Sequence, residues 1–221
     1  MHIEPGIVDA AKITLSYATA AGAVTYAMKT IKDEGGIAAL PSIAVRSVIA
    51  AVGTFIFFEV LPHFAVGVSE VHLILGSTLL LLLGTAPAAI GLALGLLIQG
   101  LFFAPIDLPQ YGMNLTTLLV PLFGIQALAR RIVAPGTAYV DLTYAQALKL
   151  STAYQGGIVA WVAFWAIYGQ GMAVISAVGT FGIAYMSVVL LEPLVDLAVL
   201  ALAKRAKGLQ GSGLVTKRLY A

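Results

Sequence analysis

The first two residues of the chain bring together nitrogen atoms that can bind a metal. The amine of Met1, the amide nitrogen between Met1 and His2, and a ring nitrogen of His2 can close two adjacent chelate rings around one ion. Ni(II) and Cu(II) favour such planar nitrogen coordination, whereas Mg(II) and Ca(II) prefer oxygen ligands. One corner of the plane stays open, and an imidazole from elsewhere in the fold, such as that of His72, would fill it. The alternative is that His2 does no chemistry and that His72 is an ordinary interfacial histidine.

The composition indicates which kind of fold must position these residues. Hydrophobic residues make up 60% of the 221 and charged residues only 10%, and the mean hydropathy is +0.98, whereas a soluble domain is about 25% charged. Several apolar runs approach the ~20 residues that a helix needs to cross ~30 Å of hydrocarbon. Stretches such as LILGSTLLLLLG lack the alternation of a membrane barrel strand, and the absence of cysteine excludes thiolate ligands. We therefore predict an all-α integral membrane protein.

Charges, prolines and glycine clusters divide the apolar runs into about seven predicted transmembrane helices. These lie near 9–29, 38–62, 69–84, 86–104, 112–133, 143–168 and 172–203. Cytoplasmic loops retain Lys and Arg, and in such a bundle one end holds most of the basic residues, namely Lys29, Lys32, Arg130, Arg131, Lys149, Lys204, Arg205, Lys207, Lys217 and Arg218. We therefore predict a single transmembrane domain, 1–221, with an outward metal-binding segment at 1–8 and a basic cytoplasmic tail at 204–221.

This orientation collects the polar candidates at the outward end of the bundle, namely His2, His63, Glu70, His72 and Asp107. Three further carboxylates, those of Glu59, Glu192 and Asp196, interrupt apolar runs. A charge left at mid-membrane costs roughly 2.5–3.5 kcal/mol. We therefore expect these carboxylates to face the bundle interior, with Arg46 as the counter-charge of one of them.

Small residues recur at helical spacing on the first predicted span, at Ser16, Ala20, Ala23 and Ala27, and GLALG at 91–95 repeats the pattern. Such faces allow close helix packing. We expect them to pack within the bundle, the alternative for the first span being a docking face for a partner. Aromatic residues that end the sixth span at Trp161, Trp165 and Tyr168 indicate an interfacial belt.

Several segments resemble the CbiM/NikM family, the membrane substrate-binding (S) components of energy-coupling factor cobalt and nickel importers. The opening MHIEPGIV is similar to the family's MHIPDGF or MHIMEGF, and SEVHLILGS resembles its GTSxHLxG segment. LLIQGLFF resembles LLIQALLF, YGMN resembles the GxN segment, and YMSVVLLEPLVD resembles the final helix with its embedded glutamate. The matches extend over most of the chain in the family's order, and the family has seven helices.

The resemblance implies that Met1, His2 and His72 hold the metal, and that Gln99 and Asn114 line or brace the site. Glu70 and His63 are further candidates for its surroundings. The chain departs from the family in two places. Val68, Ser69 and Glu70 stand where family members usually have glycines, and the residues after His2 read IEPG in place of IPDG. The cargo is Co(II) or Ni(II), and no resident cofactor is implied.

The resemblance also implies partners, because the chain has no phosphate-binding GxxxxGK[ST] loop to hydrolyse ATP. Separate ATPase subunits and a transmembrane coupling (T) subunit would supply the energy, possibly with a small accessory membrane subunit. The expected location is a bacterial or archaeal inner membrane, with no nucleic-acid partner. The alternatives are an S component or an autonomous carrier for another substrate, and an intramembrane enzyme, for which no HExxH, GxGD or GxSxG segment exists.

Overall fold

A computed structural model describes residues 3–205, which fold into a bundle of α-helices with one short β-hairpin. The helices are α1 Thr14–Asp33, α2 Leu40–Phe55, α3 Gly76–Leu83, α4 Thr85–Phe102, α5 Tyr111–Ile132, α6 Tyr144–Gln170 and α7 Ile175–Arg205, and the strands are β1 Phe64–Val66 and β2 Ser69–Val71. A π-helical segment, Ile56–Val60, extends α2, and short 3₁₀ turns cover Gly36–Ala39, Pro105–Gln110, Tyr139–Asp141 and Gly171–Val174. Met1, His2 and the tail from 206 lie outside the described residues.

Four helical stretches are long and apolar enough to cross a membrane: Gly36–Val60, Thr85–Phe102, Pro105–Ile132 and Tyr144–Arg205. The last contains both α6 and α7, which turn back on each other at Gly171, where φ is +64°. Tyr185 of α7 binds Gln155 of α6, and Lys204 near the end of α7 binds Leu142, two residues before α6 begins. The two helices are therefore antiparallel. The protein is therefore a multi-pass membrane protein.

The third predicted span is wrong, because residues 69–84 do not form one helix. They begin as strand β2, and the helix that follows, α3, has eight residues, which gives about 12 Å of length against ~30 Å of hydrocarbon. Between them the backbone leaves the helical path, and Leu75 has a left-handed conformation with φ +53°. A buried carboxylate on α7 stabilises this departure, as described below.

The small-residue faces pack inside the bundle, as expected. On α1, Ser16, Ala20 and Ala23 are buried, and a side chain at Gly112 of α5 would collide with Ser16. At the α2–α4 contact a Cβ on Gly91 would overlap Ala50, so the GLALG segment allows two backbones to approach closely.

Polar contacts define the end of the bundle that holds most of the basic residues. Glu34, just after α1, accepts hydrogen bonds from the N–H groups of Thr85 and Ala86, at 2.6 and 3.0 Å, which satisfies donors at the start of α4. Arg46 lies 3.7 Å from Glu34, so its partner is Glu34 and not a carboxylate of the apolar runs. Asp33 and Arg130 pair at 3.8 Å at the same end.

Candidate metal centre

The β-hairpin places His72 directly after strand β2. The antiparallel register pairs Phe64 with Val71 and Val66 with Ser69, and the turn between the strands needs glycine at Gly67. There φ is +64°, and a Cβ would collide with the Ala177 carbonyl. The hairpin thus fixes the His72 backbone at the end of the molecule opposite Arg130.

The beginning of the chain lies along the same hairpin. Ile3 forms an antiparallel bridge with Ser69, and the Glu4 N–H donates to the Val68 carbonyl at 3.1 Å. The Ile3 N–H donates to Oδ1 of Asn114 at 2.9 Å, and Ile3 is fully buried. The N-terminal segment therefore continues the small sheet as a third extended segment, anchored by Asn114 of α5.

His72 is buried, with 1% of its surface exposed, and its Nε2 lies 2.8 Å from Oε2 of Glu70. With an ionised carboxylate this contact is a hydrogen bond only if Nε2 carries the proton, which makes Nδ1 the nitrogen with the lone pair. A carboxylate on the far nitrogen is the arrangement that orients metal-binding histidines in many proteins. The rings of Phe58 and His63 lie 5.3 and 4.8 Å from the His72 ring, centroid to centroid.

Gln99 supports the site from α4. Its Nε2 lies 3.3 Å from the carbonyl of Phe58 and 3.3 Å from Oε2 of Glu59, so it holds the π-helical end of α2, which carries the Phe58 ring toward His72. π-Helical turns are frequent at functional sites. The resemblance singled out Gln99 and Asn114, and in the structure the Asn114 side chain of α5 binds the N-terminal segment, whereas the Gln99 side chain of α4 binds the π-helical end of α2.

A carboxylate on α7 holds the residues that follow His72. Glu192 is fully buried and accepts hydrogen bonds from the N–H groups of Ile74 and Leu75, at 2.8 and 2.5 Å, and from the side chain of Gln155. Two successive backbone donors on one carboxylate fix the left-handed turn at Leu75. The interior position expected for Glu192 is thereby confirmed, and its partners are two backbone amides and the Gln155 side chain.

Asp196 continues this polar row one helical turn farther along α7. It is buried and accepts hydrogen bonds from the hydroxyl groups of Ser77, at 2.6 Å, and Thr78. Tyr139 lies near Asp196, and burial together with this carboxylate raises the pKa of the Tyr139 phenol above its usual value. The row tethers α3 and the segment before it to α7.

The interpretation of Trp165 as part of an interfacial belt is wrong. Trp165 is fully buried and packs with Ile3, Val8 and Met113 in a small cluster under the N-terminal segment. Gln170, five residues on, donates to the Ile7 carbonyl at 2.9 Å. The end of α6 therefore packs against the beginning of the chain, and no local sequence pattern predicts this contact.

The structure thus brings His72, Glu70, His63, Asn114 and the first described residue, Ile3, to one end of the bundle. Within residues 3–205 there is no group of three or more His, Asp or Glu side chains that could hold a metal. The remaining proposed donors, those of Met1 and His2, precede the described range. The proposed ligands other than His72 therefore lie outside the described residues.

Comparisons with known proteins agree with this architecture. Over residues 2–208 the sequence matches the CbiM family, described as a cobalt uptake substrate-specific transmembrane region. A crystal structure of a truncated transition metal transporter superposes with a TM-score of 0.66 at 19% sequence identity, covering 91% of this chain and 95% of that chain. At this identity the likeness shows the fold alone. No curated protein sequence matches the chain.

Proposed function

The chain belongs to the CbiM family, the cobalt uptake substrate-specific transmembrane region, and from this premise we propose that it binds and imports Co(II) or Ni(II) as the S component of an energy-coupling factor transporter. The proposed ligands are the Met1 amine, the Met1–His2 amide nitrogen, a ring nitrogen of His2, and Nδ1 of His72. The cargo is a substrate and the chain has no catalytic residues of its own in this proposal.

The observation that carries the proposal is the way the described residues converge on one point. Ile3 pairs antiparallel with Ser69, three residues before His72, and in this proposal the two residues ahead of Ile3 reach His72. Asn114 fixes the Ile3 amide, and Glu70 orients the His72 imidazole. A planar set of four nitrogens suits Ni(II), and Co(II) precedes Ni(II) in the Irving–Williams order.

The proposal places this end of the bundle outside the cell and the basic end in the cytoplasm of a bacterium or archaeon. The positive-inside rule supports this orientation, because Arg130, Arg131 and Lys204 lie at the end opposite His72. ATPase subunits and a coupling subunit would then contact the chain from the basic end and from the membrane plane.

The packed interior supports a binding component over a channel. Between the Asn114 and Arg130 ends, α5 contributes Leu115, Leu118, Leu119 and Leu122 to a closed apolar core. A divalent ion that passed among these leucines would lose its hydration without gaining ligands, which is strongly unfavourable. In this proposal, release of the metal follows a movement that partner subunits drive.

The experiment that tests the proposal measures metal binding and uptake together. We expect the purified, untagged chain to bind one equivalent of Ni(II) or Co(II) by calorimetry, and His72→Ala to lose this binding. We also expect membrane vesicles to accumulate metal only when ATPase and coupling subunits are co-expressed. Uptake by the chain alone, or no binding by the folded wild-type chain, would contradict the proposal.

A further inference from the structure

We propose that His63 is the entry residue of the metal site, which binds the incoming ion first and transfers it to His72. This inference rests on the proposed function and adds a kinetic step to it. The hairpin itself produces the arrangement. Its register pairs Phe64 with Val71, so His63 and His72 occupy the next cross-strand position, where side chains of facing residues meet.

The two imidazoles differ in exposure in the way that an entry path requires. His72 is 1% exposed, whereas His63 is half-buried beside exposed neighbours such as Phe64, at 67% exposure. The His63 ring lies over the His72 ring at 4.8 Å between centroids. On this side of the hairpin, an ion from solvent meets His63 before it reaches His72.

The His63 ring is held with a metal-binding nitrogen available. Its Nδ1 lies 3.2 Å from the Leu61 carbonyl oxygen, and because a carbonyl only accepts, Nδ1 must carry the proton. A neutral imidazole then has its lone pair on Nε2. Neutral imidazole nitrogen is a suitable ligand for Ni(II) and its neighbours in the transition series.

The stacked geometry shows that His63 and His72 cannot both be ligands of the same ion at the same time. A bound metal lies in the plane of its imidazole ligand, and the planes of His63 and His72 are almost parallel, at 14°. Two parallel rings one above the other do not direct their lone pairs at one ion. An ion held in the plane of His63 must therefore move by roughly the 4.8 Å between the two rings to be held in the plane of His72. His63 and His72 therefore bind in succession.

Stopped-flow binding of Ni(II) to the full chain tests this step. We expect His63→Phe, which keeps a flat ring over His72 but has no nitrogen, to slow association and dissociation together by about tenfold, with an unchanged Kd. His63→Cys, which restores a metal-binding atom without a ring, should return most of the rate. The matched control is Phe64→Leu on the adjacent exposed position, which should bind at the wild-type rate.

Wild-type rates in His63→Phe would show that the stacked ring is only packing and would overturn the inference. A weaker equilibrium affinity with a changed visible absorption band of the bound Ni(II) would also overturn it, because His63 would then be a permanent ligand. In both cases the variant still binds one equivalent of metal, and the proposed function stands. A wild-type chain that binds no Ni(II) would instead contradict the proposed function and, with it, this step.

Discussion

At the scale of single residues, the site depends on how His72 is oriented. Its Nε2 bonds to Glu70, and its ring packs against the tilted ring of Phe58 and the stacked ring of His63. The imidazole therefore has one tautomer and one direction before any metal arrives. Pre-organisation of this kind lowers the entropy lost on binding.

The Glu70→Gln variant tests this orientation. Glutamine has nearly the same shape but no charge, so it stabilises the Nε2–H tautomer less well. Because partners of metal-ligating histidines typically contribute 10–100-fold in affinity, we expect Ni(II) affinity to fall by about 10–100-fold, as measured by calorimetry. Asp9→Asn removes another carboxylate at the same end, one that pairs with Lys12, and should bind normally. Equal affinities in the two variants would contradict the role of Glu70.

Single residues were predicted where the segment around them resembles a segment of the CbiM/NikM family. His72, Gln99 and Asn114 were identified in this way, and the structure places all three at one end of the bundle. Trp165 was misinterpreted because a tryptophan near a helix end has the same sequence signature whether it faces lipid or a neighbouring segment. Its burial depends on Ile3 and Val8, more than 150 residues away, and that packing has no local pattern. The roles of Met1 and His2 stay predictions.

At the scale of secondary-structure elements, α7 acts as a support for the segment that carries His72. Glu192 accepts two backbone N–H groups from Ile74 and Leu75, and Asp196 binds Ser77 and Thr78. The Glu192 contacts satisfy two backbone N–H groups where the chain turns from β2 into α3, and the Asp196 contacts hold two side-chain hydroxyl groups of α3. The position of His72, the proposed metal ligand, is therefore set by a helix more than 100 residues farther along the chain.

Glu192→Gln is the test of this support. A glutamine side chain has one acceptor oxygen and no charge, so one of the two buried N–H groups loses its partner, which costs about 1–3 kcal/mol. We expect a lower free energy of unfolding in detergent and weaker Ni(II) binding. Glu59→Gln is the matched control, because the Glu59 carboxylate accepts from the Gln99 side chain and, within residues 3–205, from no backbone N–H group. A Glu192→Gln chain as stable as this control would contradict the support role.

The helices were largely predictable, and the hairpin was not. Long apolar runs bounded by charges and prolines predicted α2, α4, α5, α6 and α7 to within a few residues. The prediction failed at 69–84 because LILGSTLLLLL satisfies the composition of a membrane helix. The hydrogen bonds from the Ile74 and Leu75 amides to Glu192 favour a turn there instead. They are tertiary contacts, which the local sequence does not show. Gly67, which lies in the turn between the two strands, was a local sign of a hairpin.

At the scale of the whole molecule, the bundle has two ends with different chemistry. One holds the chain start, the hairpin and His72, and the other holds the Glu34–Arg46 pair and the basic residues near Arg130. A leucine-rich core separates them. This division agrees with a component that binds cargo at one end and meets its partners elsewhere, and it was predictable from the distribution of Lys and Arg alone.

The central claim is that the chain start is itself part of the metal site, and an N-terminal extension tests it most directly. A few residues fused ahead of Met1 convert its amine into an amide and add bulk next to Ile3, which is fully buried and paired with Ser69 and Asn114. We expect the extended chain, confirmed intact by mass spectrometry, to lose calorimetric binding of Ni(II) and Co(II). A tag of the same size after Ala221 should leave binding intact. If the N-terminally extended chain binds either metal as tightly as the untagged one, the amine of Met1 is not a ligand and the proposed centre is wrong.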